Sequence, residues 1–217
     1  MTNDPQQQKA GTALRSNEQL MALGRERLSG LWGIGVGATF LYFLATGIPG
    51  SIPRIGGLIS LVIGGPLTLG FTLFFLRISR GTRPDWNELL EGFNRFAPSL
   101  VAYLLVVLFV ALWSLLLIVP GIIAALSYSM TFYILIDNPD MSGRDAMRRS
   151  REMMEGHKEK LFYLTLRFLG WALLSILTLG IGFLFLTPYV YTTLGLFYDD
   201  IRGALAPESA TGGTTTG

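Results

Sequence analysis

The 217-residue chain has no cysteine, which excludes disulfides, thiolate metal centres and cysteine nucleophiles. It has a single histidine, His157, placed in a charged stretch between apolar runs. That position keeps it from the hydroxyls of the apolar runs, so no Ser, His and Asp triad is expected. A Walker-type phosphate loop is absent, and Gly33, Gly35 and Gly37 follow no strand, so they do not form a dinucleotide fingerprint. Charge is scarce as well, at 15% of residues against about 25% in ordinary soluble domains. Before Leu31 there is no apolar core, and Asp4, Glu18 and Glu26 sit among the basic residues, so no cleavable signal or transit peptide is expected. The composition therefore points away from an enzyme, and no catalytic residue, cofactor or metal site is expected.

What the chain does have is apolar sequence: half its residues are hydrophobic and its mean hydropathy is +0.46. Six runs stand out: Leu31 to Ile48, Ile55 to Leu76, Pro98 to Val119, Gly121 to Ile136, Leu161 to Leu179 and Ile181 to Tyr198. Crossing the hydrocarbon takes about 20 apolar residues, so each run can cross once and none twice. The fold class expected is all-α, a polytopic membrane protein with six transmembrane helices arranged as three hairpins.

The distribution of Lys and Arg sets the expected orientation. Four precede Leu31, four lie from Arg77 to Arg95 and six from Arg144 to Lys160, whereas Arg54 is alone on the alternate loops. The positive-inside rule then places both termini and both long connectors in the cytoplasm. The same count requires Pro98 to Ile136 to turn back, and Pro120 with Gly121 is where a turn is expected, since proline interrupts helical bonding and glycine accepts turn dihedrals.

Each hairpin follows an amphipathic segment opened by a capping-box pattern: Ser16 with Gln19, Asp85 with Glu88, and Ser142 with Asp145. These segments read as interfacial helices. In the third, Arg144, Arg148, Arg149 and Arg151 supply charge, and Met147, Met153 and Met154 are expected to enter the bilayer, making the arginines candidate contacts for anionic lipid headgroups. Gly30, Gly92 and Gly156 recur 62 and 64 residues apart, and a charged exit residue (Arg77, Asp137, Asp199) follows each. The chain thus reads as three parallel two-span repeats, at about 16–77, 85–137 and 142–199 within a membrane domain over 16–202. A flexible arm over 1–15 and a disordered tail over 203–217, rich in Thr and Gly, flank it.

Four strings carry a family resemblance: LWSLLLIVPGIIAALSYSMTFYILIDNPD from Leu112, RSREMMEGHKEKLFYL from Arg149, GWALLSILTLGIGFLFLTPY from Gly170 and FYDDI from Phe197. In type and order the chain resembles domain-of-unknown-function family 975, from about Arg15 to Ile201. The resemblance implies a bacterial multi-span membrane protein of the inner membrane, without an established biochemical role.

Arg167 is the one ionisable residue inside an apolar run, and an intramembrane charge is a functional-site hypothesis by default. Its expected partners are Asp137 and Asp199 or Asp200, which would make a polar site among the spans; snorkelling to the interface is the plainer alternative. Two function classes follow. The first is a non-enzymatic membrane module that organises lipid or a protein partner, a second copy included, at its cytoplasmic face. The second is a small transporter or channel with a cavity near Arg167. Nucleic acid is not an expected partner.

Overall fold

The computed structural model describes residues 14–205 apart from Ser51. Most of the flexible arm and nearly all of the C-terminal tail expected from the sequence lie outside those residues. Among the described residues there are helices and no strands. Helix α1 is Asn17–Leu28, α2 Trp32–Gly50 and α3 Gly56–Ser79; then come a short α4, Glu88–Glu91, a 3-10 turn, Gly92–Arg95, and α5, Phe96–Leu116. They are followed by α6 Ile118–Tyr128, α7 Thr131–Asp137, α8 Gly143–Met153, α9 Lys158–Leu177 and α10 Gly182–Leu205.

Among the described residues, five segments are long and apolar enough to cross a membrane: Trp32–Pro49, Gly56–Ser79, Glu88–Leu116, Ile118–Asp137 and Lys158–Leu177. The α10 helix, with 24 residues, is about 36 Å long, but it carries Tyr189, Tyr191, Thr192, Thr193, Asp199 and Asp200 along its length. The cause is its position: α10 packs on α1, α2, α3 and α9, and Thr192, Thr193, Leu196 and Phe197 are buried among them. A helix enclosed by protein need not present an apolar surface to lipid.

One capping box forms as read, and a second forms as its N-cap half. Ser16 accepts from the Gln19 N–H at 3.2 Å while the Gln19 side chain accepts from the Ser16 N–H at 2.8 Å. Ser142 Oγ accepts from the Asp145 N–H at 3.2 Å. Asp85 differs: its carboxylate accepts from the Asn87 N–H at 2.9 Å, a local turn bond that delays the helix to Glu88.

The expected turn at Pro120 and Gly121 is corrected to Leu117, whose extended backbone (φ −159°, ψ 144°) separates α5 from α6. Pro120 then stands third in α6, inside the first turn, where the missing N–H would have had no helical partner. Gly121 serves packing: a Cβ there would lie 2.8 Å from Ser114 Cα. The α9 to α10 reversal repeats the device, with Gly182 against Ser175 and a Cβ only 2.7 Å from its Cα. Both are a serine seven residues before a glycine, a repeat signal that the sequence reading passed over.

The three repeat glycines are not equivalent. Gly30 and Gly156 adopt φ +79° and end the segments before α2 and α9, as a left-handed glycine can. Gly92 instead sits inside the 3-10 turn at φ −57°, where the absence of a side chain lets it lie directly against the Pro66 carbonyl.

Burial is polarised along the helices. At the connector end, Phe71, Phe74, Phe75, Ile78, Met130, Leu135, Phe197 and Ile201 form a core with α1 and α8. At the opposite tips, Leu115, Ile118 and Leu179 are 88%, 76% and 95% exposed. Apolar side chains that face lipid need no cover from protein, so this polarity is compatible with tips set in a bilayer.

Candidate functional site

The polar centre of the molecule lies where the connector ends of α3, α7 and α10 meet. Arg80 follows the last turn of α3, and Gly81, at φ +78°, swings the chain away behind it. The guanidinium is thereby left facing two carboxylates at once. Its Nη1 and Nη2 donate to Asp137 at 2.9 and 2.7 Å. Its Nε and Nη2 donate to Asp199 at 3.0 and 2.8 Å. Paired forks of this kind combine charge with fixed geometry. Asp137 also accepts from the Tyr198 hydroxyl at 3.1 Å and from Arg202.

Asp199 and Asp137 hold the Arg80 guanidinium protonated even more firmly than usual. Two arginines and two carboxylates leave the centre neutral, and each charge is spent on another. Tyr133 stacks on Tyr198 with ring centroids 5.4 Å apart, closing the apolar side. Next to the centre, Asp200 accepts from Lys160 at 3.2 Å and from the Arg15 N–H at 2.9 Å. Arg95 donates to the Pro139, Asn138 and Leu135 carbonyls at the end of α7, satisfying orphaned acceptors there.

This arrangement corrects the pairing expected for Arg167. Asp137 and Asp199 do come together, but around Arg80, while Arg167 binds Glu18 of α1 at 2.9 Å. Both side chains of that pair are largely exposed, at 46% and 77%. The two sites are separated because Arg167 lies on the side of α9 that faces α1. Arg77, taken as the charged exit of the first repeat, pairs with Glu88 at 3.3 Å, and Arg80 takes that role three residues later. Arg80, Tyr198 and Arg202 went unread because a charge at a helix end looks the same whether solvated or shared.

The four arginines of α8 are all exposed. Arg148 pairs with Asp145 at 3.1 Å and Arg149 with Glu152 at 3.7 Å; Arg144 and Arg151 make no ion pair among the described residues. Met153 and Met154 are not free to enter a bilayer, which is a second correction. Ala146, Met153 and Met154 belong to the protein core, Met147 is half-buried, and Gly143 packs against Pro98 and Ala102 of α5. The apolar stripe of α8 is satisfied by protein, and only its charged side is free.

Three concavities accompany these residues. One of ≈ 590 Å³ is lined by Arg15, Asn17, Lys160, Tyr163 and Arg167. Another, of ≈ 320 Å³, lies beside the polar centre between Arg77, Arg80, Arg95 and Asp137. The third, of ≈ 480 Å³, is lined by Trp32, Trp171, Phe185 and Tyr189, with Arg25 on its edge. No group of three or more His, Cys, Asp or Glu side chains that could hold a metal ion occurs among the described residues.

The model of one family, described as a protein of unknown function (DUF975), matches residues 14–127 and 115–205. No curated protein and no solved structure matches the chain.

Proposed function

The chain belongs to the DUF975 family of proteins of unknown function, and from that premise we propose that it is a non-enzymatic module that organises lipid, or a protein partner, at the cytoplasmic face of the bacterial inner membrane. In this reading α10 is the sixth span, α2 with α3, α5 with α6 and α9 with α10 are transmembrane hairpins, and both termini are cytoplasmic. The observation that carries it is the contrast between spent and free charge at the connector end. Arg80, Asp137, Asp199 and Arg202 satisfy one another, while Arg144 and Arg151 of α8 are exposed and make no ion pair among the described residues. Free cations beside a bilayer attract anionic headgroups by about 1 kcal/mol each.

Flotation of the purified full-length chain with vesicles does not report on α8 once the protein is inserted, so the test uses nanodiscs. In discs of phosphatidylcholine doped with spin-labelled phosphatidylglycerol, the parent should slow the labelled lipid near α8, and Arg144→Gln with Arg151→Gln should release most of that fraction. An unchanged immobile fraction in the double variant would reject the lipid reading and leave a protein partner as the ligand of this face.

A second reading, a small transporter, keeps one observation: Arg167 lines the ≈ 590 Å³ groove. Its intramembrane acidic partners are lost, however, since Arg167 is paired with Glu18. Transport would require a polar path through the bilayer, and spans usually show that as several inward ionisable residues.

A further inference from the structure

Helix α1 fills only part of the furrow between α9 and α10. Asn17 Nδ2 donates to the Lys160 carbonyl at 3.0 Å, Glu18 binds Arg167, the Tyr189 hydroxyl donates to the Met21 carbonyl at 3.1 Å, and Gly24 lies against Thr193. The helix therefore meets α9 at Lys160 and Arg167, passes along α10 from Tyr189 to Thr193, and ends at Leu28 with Arg27 against Gly81 of the connector end. Beside Arg25 of α1 the furrow stays open as the ≈ 480 Å³ groove, walled by Trp32, Trp171, Leu174, Phe185 and Leu186. Ser175 and Thr178 also line it, but each hydroxyl is already donated, to the Trp171 and Ser175 carbonyls at 2.8 and 2.9 Å. The groove below α1 is thus effectively apolar.

Arg25 stands on the edge of this groove. Its guanidinium lies 5.9 Å from the centroid of the Tyr189 ring, and no carboxylate pairs with it among the described residues. Trp171, beside it in the groove lining, is eleven residues along α9 from Lys160, roughly 16 Å by helical rise. Arg25 itself is exposed on α1, and among the described residues it faces an aromatic ring and no carboxylate, which leaves its charge open to an anionic headgroup. Lys160, Arg167, Trp171, Leu174 and Thr178 share one side of α9 by their spacing of seven, four, three and four residues. The surface groove at Arg167 and the apolar groove at Trp171 are therefore successive stretches of one track.

Resting on the membrane reading above and deepening it, we propose that this track is a binding site for one anionic phospholipid, its phosphate on Arg25 and an acyl chain in the groove between Trp171 and Phe185. A helix of about 10–12 Å diameter would fill the groove within roughly one turn. An acyl chain is thin enough to lie along it. The site differs from the exposed arginines of α8 in being a defined cleft with one cation and an aromatic wall.

The test uses the full-length chain in phosphatidylcholine vesicles carrying brominated phosphatidylglycerol or brominated phosphatidylcholine, reading quenching of Trp171 as the difference between the parent and Trp171→Phe. Phosphatidylglycerol should be preferred by about fivefold, the factor that about 1 kcal/mol per basic residue corresponds to. Arg25→Gln should abolish the preference, Arg25→Lys should keep it, and Arg144→Gln with Arg151→Gln should leave it unchanged. As a second readout independent of the Trp171 substitution, native mass spectrometry should find one phosphatidylglycerol retained by the parent and none by Arg25→Gln. Equal quenching by the two lipids overturns the site. So does a preference that survives Arg25→Gln; if it falls instead with the α8 double variant, the surface reading stands and the groove does not.

Discussion

Ser150 Oγ accepts the Met130 N–H at 3.1 Å and returns its own proton to the Ser127 carbonyl at 2.9 Å. A side chain of α8 thus splices the interruption between α6 and α7, where two helix ends would otherwise leave buried backbone groups unpaired. The sequence shows an unbroken apolar run from Gly121 to Ile136 there. The break arises where Ser127, Ser129 and Thr131 each donate to a carbonyl three or four residues back, a habit that bends helices.

Ser150→Ala should therefore destabilise the protein by about 1–3 kcal/mol, the cost of stranding a buried donor and acceptor. Thermal unfolding in detergent checks this. Ser142→Ala, which removes an exposed cap, should cost less, about 1 kcal/mol; the reverse ranking would show that α8 does not hold the break.

Arg80→Ala should leave Asp137 partly buried with a weakened set of partners and cost about 1–3 kcal/mol, below the fully buried range because water reaches the cluster. The double-mutant cycle of Arg80→Ala with Asp137→Asn should be strongly non-additive. The corresponding cycle of Arg167→Ala with Asp137→Asn should add within about 0.5 kcal/mol, since the two side chains have separate partners. Arg167→Ala by itself should change stability by less than about 1 kcal/mol, as an exposed ion pair with Glu18.

The glycines separate by cause. Gly92→Ala drives a methyl group into the Pro66 carbonyl, a backbone obstacle that cannot rotate away, and should cost about 1–3 kcal/mol or more. Gly156→Ala meets no neighbour but keeps a positive φ, worth roughly 1–2 kcal/mol of strain. Gly33→Ala has open space and an ordinary backbone, so it should be neutral or slightly stabilising. Unfolding midpoints of the three variants give the ranking directly.

Because the chain lacks cysteine, single cysteines report sidedness without background. In intact cells an impermeant thiol reagent should label Arg54→Cys and should reach Ser29→Cys and Ser142→Cys only after permeabilisation. Labelling of Ser142→Cys from outside would overturn the orientation drawn from the Lys and Arg count.

The helical class, the apolar segments long enough to cross a bilayer and two of the three helix starts are legible in the sequence, because each depends on neighbours within a few positions: hydrophobic run length, and a hydroxyl three residues before its N–H. Family membership is legible for the same reason, as it rests on ordered strings. Tertiary structure alone decided which charges are spent and which are free. Arg80, Arg167 and Arg25 look alike in the chain, yet one is shared by Asp137 and Asp199, one by Glu18, and one, among the described residues, faces a tyrosine ring and no carboxylate. Partners 57 to 164 residues away set these differences. No local pattern encodes them, because a charge-charge contact depends on distance in space, and helix packing, not sequence spacing, sets that distance.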